Sequence, residues 1–111
     1  MATFKMMQGD SYPVFIDLEQ YGTNLTPDMI DDLEVSVGEV LRKTFSGGGV
    51  GYDTVTAQWY IRPAQQETLD MEVGAYEVIV RVKYRNKPQA DVKGITVGKI
   101  RITESYSKEV I

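Results

Sequence analysis

Asp28, Asp31, Asp32 and Glu34 crowd four carboxylates into one short stretch of a 111-residue chain, the first place to look for chemistry. Clustered acids can hold a hard cation such as calcium. The order of Asp, Asn and Gly that a calcium loop uses is missing here, however, and acids gather near a helix start because the helix dipole favours them. The glycines of Gly47-Gly48-Gly49-Val50-Gly51 suggest a loop whose amides could cradle a phosphate. That chemistry needs a Gly-Lys-Ser or Gly-Lys-Thr and a helix N-terminus directly after it. Neither follows, so the glycines read as a hairpin loop. Tyr52, Trp59 and Tyr60 could form a platform for sugar or single-stranded nucleic acid, but alternating aromatics in strands ordinarily pack inward and across strands.

Histidine and cysteine are both missing. The chain therefore has no imidazole base, thiolate nucleophile, disulfide or zinc knuckle. An enzyme would have to run on Asp, Glu, Ser, Lys or Tyr, and nothing picks out a working pair among the 16 acids. A non-enzymatic protein with no metal and no cofactor is the expectation.

Charge is distributed unevenly along the chain. Residues 1–80 hold 4 basic and 13 acidic side chains, net −9, whereas residues 81–111 hold 8 basic and 3 acidic, net +5, giving −4 for the whole. Arg81, Lys83, Arg85, Lys87, Lys93, Lys99 and Arg101 fall on the last strands or their turns, which predicts one basic edge on an otherwise acidic molecule. Global acidity opposes a nucleic acid, and no stacking motif interleaves these cations. Two readings stay open: pairing of opposite charges across neighbouring strands within the chain, and association between copies or with a partner. Arg81, Lys83, Lys93, Lys99 and Arg101 are the candidate binding residues.

The elements that would carry these residues are strands. The 13 Val, 8 Ile and 9 Thr outnumber the 5 Ala and 5 Leu threefold, a bias toward an all-β chain. Val14, Ile16 and Leu18 share one strand face, and Thr26-Pro27 opens one short helical turn with Thr26 as N-cap. Leu33–Val37 and Val40–Phe45 read as a hairpin or one bent strand about Gly38. Trp59 is the best candidate for the centre of the core. Pro63–Met71 should carry a turn of helix. Tyr76–Tyr84 is the clearest strand, with Tyr76, Val78, Val80, Val82 and Tyr84 on one face and Glu77, Arg81 and Lys83 on the other. Asp91–Val97 and Lys99–Thr103 follow the turn Arg85-Asn86-Lys87-Pro88 and close the domain.

Seven or eight short strands at this spacing predict an immunoglobulin-like antiparallel β-sandwich, with a small closed barrel as the rival. One domain spans residues 1–111, its core about 3–104 and its tail 105–111. The N-terminus has no apolar signal region, and no apolar run is long enough to cross a membrane, so no membrane partner is expected.

Gln8-Gly9-Asp10-Ser11-Tyr12-Pro13-Val14, then Gly22-Thr23-Asn24-Leu25-Thr26-Pro27, resembles the start of the N-terminal domain of phage baseplate upper proteins. Glu72-Val73-Gly74-Ala75-Tyr76-Glu77-Val78 looks like that family's Pro-Gly-x-Tyr-x-Val approach to a long strand, with Glu-Val before Gly74 in place of Pro. Asn24-Leu25 stands where the family has Asp-Leu. The resemblance runs from about Lys5 to Thr103. It implies a structural or adaptor protein of a phage or prophage tail or baseplate, made in the host cytoplasm and located in the virion. Its partners would be other tail or baseplate proteins and further copies of itself. The alternative from another class is a carbohydrate-binding module using Tyr52, Trp59 and Tyr60.

Overall fold

Alternation of β-branched residues produces ten strands in a computed structural model that describes residues 2–20, 22–85 and 92–111. They are β1 (Ala2–Met7), β2 (Val14–Ile16), β3 (Glu19–Gln20), β4 (Thr23–Asn24), β5 (Ile30–Val37), β6 (Leu41–Thr44), β7 (Val50–Asp53), β8 (Gln58–Ile61), β9 (Gly74–Tyr84) and β10 (Val92–Thr103). A 3-10 turn covers Pro27–Met29, and the helix α1 covers Gln65–Leu69. Among the described residues no helix is long and apolar enough to cross a membrane.

Two sheets face each other as an all-β sandwich. One has five strands in the order β1-β10-β9-β5-β6, the other three in the order β2-β8-β7, and β3 and β4 form a separate two-stranded ladder. All pairs are antiparallel except β1 with β10, which run parallel. β5 and β6 form the expected hairpin. The final segment differs from the expected two strands: it is one long strand whose register shifts between Thr96 and Gly98. A bulge lets a strand bend without ending. The backbone of β1 runs so close to Gly98 that a Cβ there would come within 2.4 Å of the Ala2 carbonyl oxygen, so this parallel pairing requires glycine.

The Gly-rich segment is likewise not a hairpin loop. It carries the chain from β6 in the large sheet to β7 in the small one, because the apolar faces on either side belong to opposite layers. The expected turn at Asn86-Lys87-Pro88 lies outside the described residues.

Apolar residues at every second position meet between the layers. Leu33, Val35 and Val37 of β5, Val78, Val80 and Val82 of β9, and Ile100 and Ile102 of β10 are buried from one side. Val14, Ile16, Val50, Trp59 and Ile61 are buried from the other. Trp59 is 0% exposed and lies against Tyr52 and Phe45, with ring centroids at 4.9 and 5.2 Å. Its Nε1–H donates to the Leu25 carbonyl at 2.9 Å, which satisfies the one polar atom of an otherwise apolar side chain.

α1 is fastened by polar contacts. The buried Thr68 hydroxyl accepts from the Gly9 N–H and donates to the Asp10 carbonyl, both at 2.9 Å. Glu67 accepts from the Ala64 N–H at 2.8 Å and from Lys43 Nζ at 2.8 Å on each oxygen, joining α1 to β6. Burial pushes the Glu67 carboxyl up, but the Ala64 hydrogen bond and the Lys43 ammonium outweigh it and hold the group below its ordinary value.

Candidate functional site

Of the predicted basic residues, Arg81, Lys83, Lys99 and Arg101 sit on the outer face of the five-stranded sheet rather than along an edge. β5 and β6 extend the sheet beyond β9, and β1 covers the far side of β10, so late strands in sequence became inner strands in space. Arg81 stands opposite Glu34 and Gly94, and Lys83 opposite Asp32. Lys99 stands between Glu77 on β9 and Thr3 on β1, while Arg101 stands between Ala75 and Lys5. The ladder puts Lys93 opposite Val82, out of phase with Arg81 and Lys83, and its side chain lies outside the described residues. Lys87 lies outside them too.

Two groups of charge result. At one end, Asp32, Glu34, Arg42, Thr44, Arg81 and Lys83 line a shallow depression of about 140 Å³ in which both signs are present. Glu34 pairs with Arg42 at 2.6 Å. Asp32 accepts from the Leu33 N–H at 2.8 Å and from the N–H and hydroxyl of Ser46 at 3.0 and 2.8 Å. Burial raises the Asp32 carboxyl; the Ser46 and Leu33 hydrogen bonds, with the charge of Lys83, more than offset this and leave it below its ordinary value. At the other end the register gathers Lys5, Lys99 and Arg101 with Glu77 as the acidic neighbour. Among the described residues these three cations enter no ion pair.

The acidic stretch does not converge on one point. Asp28 is bonded to the Thr26 hydroxyl, which lowers its carboxyl, and Asp31 lies 3.5 Å from Arg85. With Asp32 and Glu34 already engaged, each acid has its own local partner. Among the described residues no group of three or more Asp or Glu could hold a metal ion.

Tyr52, Trp59 and Tyr60 do not come together as one outward platform, and Trp59 is buried as the packing reading expects. Trp59 and Tyr52 share a register position on the inner face, Trp59 within the core and the half-buried Tyr52 packed against it, while Tyr60 turns to the opposite face. Its outward neighbour is Phe15, at a centroid separation of 5.6 Å and a tilt of 54°. Alternation could have identified it: with Val14 and Ile16 inward, Phe15 must point out. Tyr60 rests over Gly51, where a Cβ would lie 2.3 Å from the ring carbon Cζ.

Two grooves flank Phe15. The larger, about 520 Å³, opens between the edge strands β1 and β2 and includes Tyr12, Pro13, Phe15 and Val97, with Lys5, Asp17 and Gln58 as polar groups. The other, about 440 Å³, is lined by Pro13, Phe15, Tyr52, Asp53, Thr54, Tyr60 and Arg62. Tyr12 donates its hydroxyl to the Lys5 carbonyl at 2.6 Å, and Asp10 accepts from the Met7 N–H at 2.8 Å. Burial, with the negative charge of Asp10, raises the Tyr12 phenol. No protein-family model, curated protein or solved structure matches this chain.

Proposed function

We propose that the protein is a non-enzymatic association module, a building block or adaptor of a phage or prophage tail or baseplate, as the resemblance in its turn and strand residues suggests. The observation that carries this reading is the group of Lys5, Lys99 and Arg101 on an exposed sheet face beside the outer strand β1. Cations that share a face without ion-pair partners suit an acidic surface on another molecule, where complementarity sets orientation and raises the rate of encounter. The acidic balance of residues 1–80 makes a second copy a fitting partner.

The edge of β1 itself contributes less. Its outward-pointing backbone groups include the Lys5 carbonyl and Met7 N–H, and Tyr12 and Asp10 already occupy these. An occupied edge resists addition of a foreign strand. Association therefore runs through the side chains of the face. Arg81 and Lys83 contribute less, because Glu34 and Asp32 stand opposite them one for one, whereas the register sets a single acid, Glu77, beside Lys5, Lys99 and Arg101.

Size-exclusion chromatography with light scattering tests this reading. At low salt and high protein concentration the wild type should exceed the monomer mass of 12.5 kDa and return to it at high salt. Lys99→Glu with Arg101→Glu should remain monomeric at low salt, with an unchanged unfolding midpoint. A wild-type monomer at both salt concentrations removes the proposal.

A further inference from the structure

The outer face of the three-stranded sheet carries a second surface that the association reading does not use. Phe15 is 36% exposed, and Tyr12 beside it 41%, on a face whose other ring, Tyr60, is laid down over Gly51. Covering a strand glycine explains Tyr60 as a structural device. It does not explain Phe15, which stands above the sheet as a ridge shared by both grooves, together with Pro13. Each groove has a volume within the roughly 300–1,000 Å³ of small-ligand sites, and Pro13 and Phe15 line both, so a ligand longer than either groove could lie across the ridge.

Polar groups flank the aromatic ridge. On one side Asp17 accepts from Gln58 Nε2 at 2.9 Å, which orients both toward the 520 Å³ groove with Lys5 at its rim. On the other side Asp53 uses one oxygen, Oδ1, to accept from the Val55 and Thr56 N–H groups. Its second oxygen accepts no hydrogen bond among the described residues. Arg62 lines the same groove and enters no ion pair among the described residues. Two carboxylates, one ammonium and one guanidinium balance in charge, so the track favours no polyanion. Tilted aromatic faces bounded by fixed hydrogen-bonding groups suit rings that are apolar on their faces and hydroxylated at their rims.

The geometry points to a binding track for a neutral oligosaccharide of hexopyranose units, with Phe15 and Tyr60 stacking on sugar faces and Asp53, Arg62, Asp17 and Gln58 bonding hydroxyls. This site shares Lys5 with the cations of the large sheet but uses neither Lys99 nor Arg101, and it does not depend on their role. Trp59 lies behind the platform and never meets the sugar.

The test is a heteronuclear NMR titration of the whole chain with hexasaccharides of glucose, galactose and N-acetylglucosamine at millimolar concentration, and a sulfated hexasaccharide as control. At least one neutral sugar should shift the resonances of Phe15, Asp53, Tyr60 and Arg62. Phe15→Ser and Arg62→Ala should each weaken that binding by roughly tenfold, a discrimination of about 1.4 kcal/mol, with unfolding midpoints unchanged. Lys99→Glu with Arg101→Glu should leave it intact, which separates this site from the association surface. The inference is overturned if no neutral sugar shifts these resonances, if only the sulfated control does, or if Phe15→Ser binds as the wild type does.

Discussion

The two outer faces of the sandwich are built from the same alternating strands and end up chemically opposite. On the large sheet, Arg81 stands opposite Glu34, Lys83 opposite Asp32 and Lys99 opposite Glu77 across neighbouring strands, so the face is charged with both signs. On the small sheet, Phe15 and Tyr60 occupy the equivalent outward positions, above a glycine that leaves room for one of them. The difference teaches that strand width matters. A five-stranded sheet offers cross-strand partners on both sides of β9 and β10, whereas β2 and β7 are edges and leave their outward side chains partnered on one side only.

Trp59→Ala attacks what the two faces share and should have the largest effect. It removes the indole between the sheets and orphans the Leu25 carbonyl, costing about 3–5 kcal/mol in urea unfolding. A much smaller loss would mean that the layers do not depend on a common anchor. Gly51→Ala disturbs the small sheet alone. The new methyl group collides with the Tyr60 ring, for a loss of about 1–3 kcal/mol that adding Tyr60→Ala should partly relieve. Additive effects in that double-mutant cycle would show that Tyr60 does not rest on Gly51.

Acid should act mainly through the large sheet and the helix packed on it. Asp32 and Glu67 are both held below their ordinary values, so the folded chain binds fewer protons than the unfolded chain as these groups titrate. Their contribution is complete above the unfolded carboxylate value near about 4 and is lost as pH falls through the folded values. Asp32→Asn and Glu67→Gln should therefore flatten the acid limb of the urea midpoint against pH, and an unchanged limb would contradict this. The smallest effect belongs to Arg42→Ala. Its side chain is 68% exposed, and its pair with Glu34 should contribute no more than about 1 kcal/mol to the thermal unfolding free energy.

Much of the fold was legible from periodicity. Tyr76–Tyr84 reads as a strand with the correct face inward, and Trp59 and Ile61 are buried as alternation requires. Pro63–Met71 contains its turn of helix, and Thr26-Pro27 begins a 3-10 turn. Thr68 was not legible. A threonine in a polar segment resembles any other surface residue, and only the approach of Gly9 and Asp10 from far along the chain makes its hydroxyl a buried tie. The candidate site was half legible for a similar reason. The cations could be named, but whether each faces an acid depends on strand order, which lies beyond the reach of any one segment's pattern.

Residue type and spacing settled the class of structure, the inward face of most strands and the absence of imidazole and thiol chemistry, because these depend on local sterics and on which atoms are present. Strand order belonged to the tertiary structure. It brought Lys5, at the start of the chain, beside Arg101, near its end, and sent the Gly-rich segment from one layer to the other. It also gave Tyr60, which alternation along β8 turns away from Trp59, a neighbour in Phe15 on the adjoining strand. The physical reason is that register along one strand is fixed by alternation, while the choice of neighbour is decided by the burial of all the apolar faces at once.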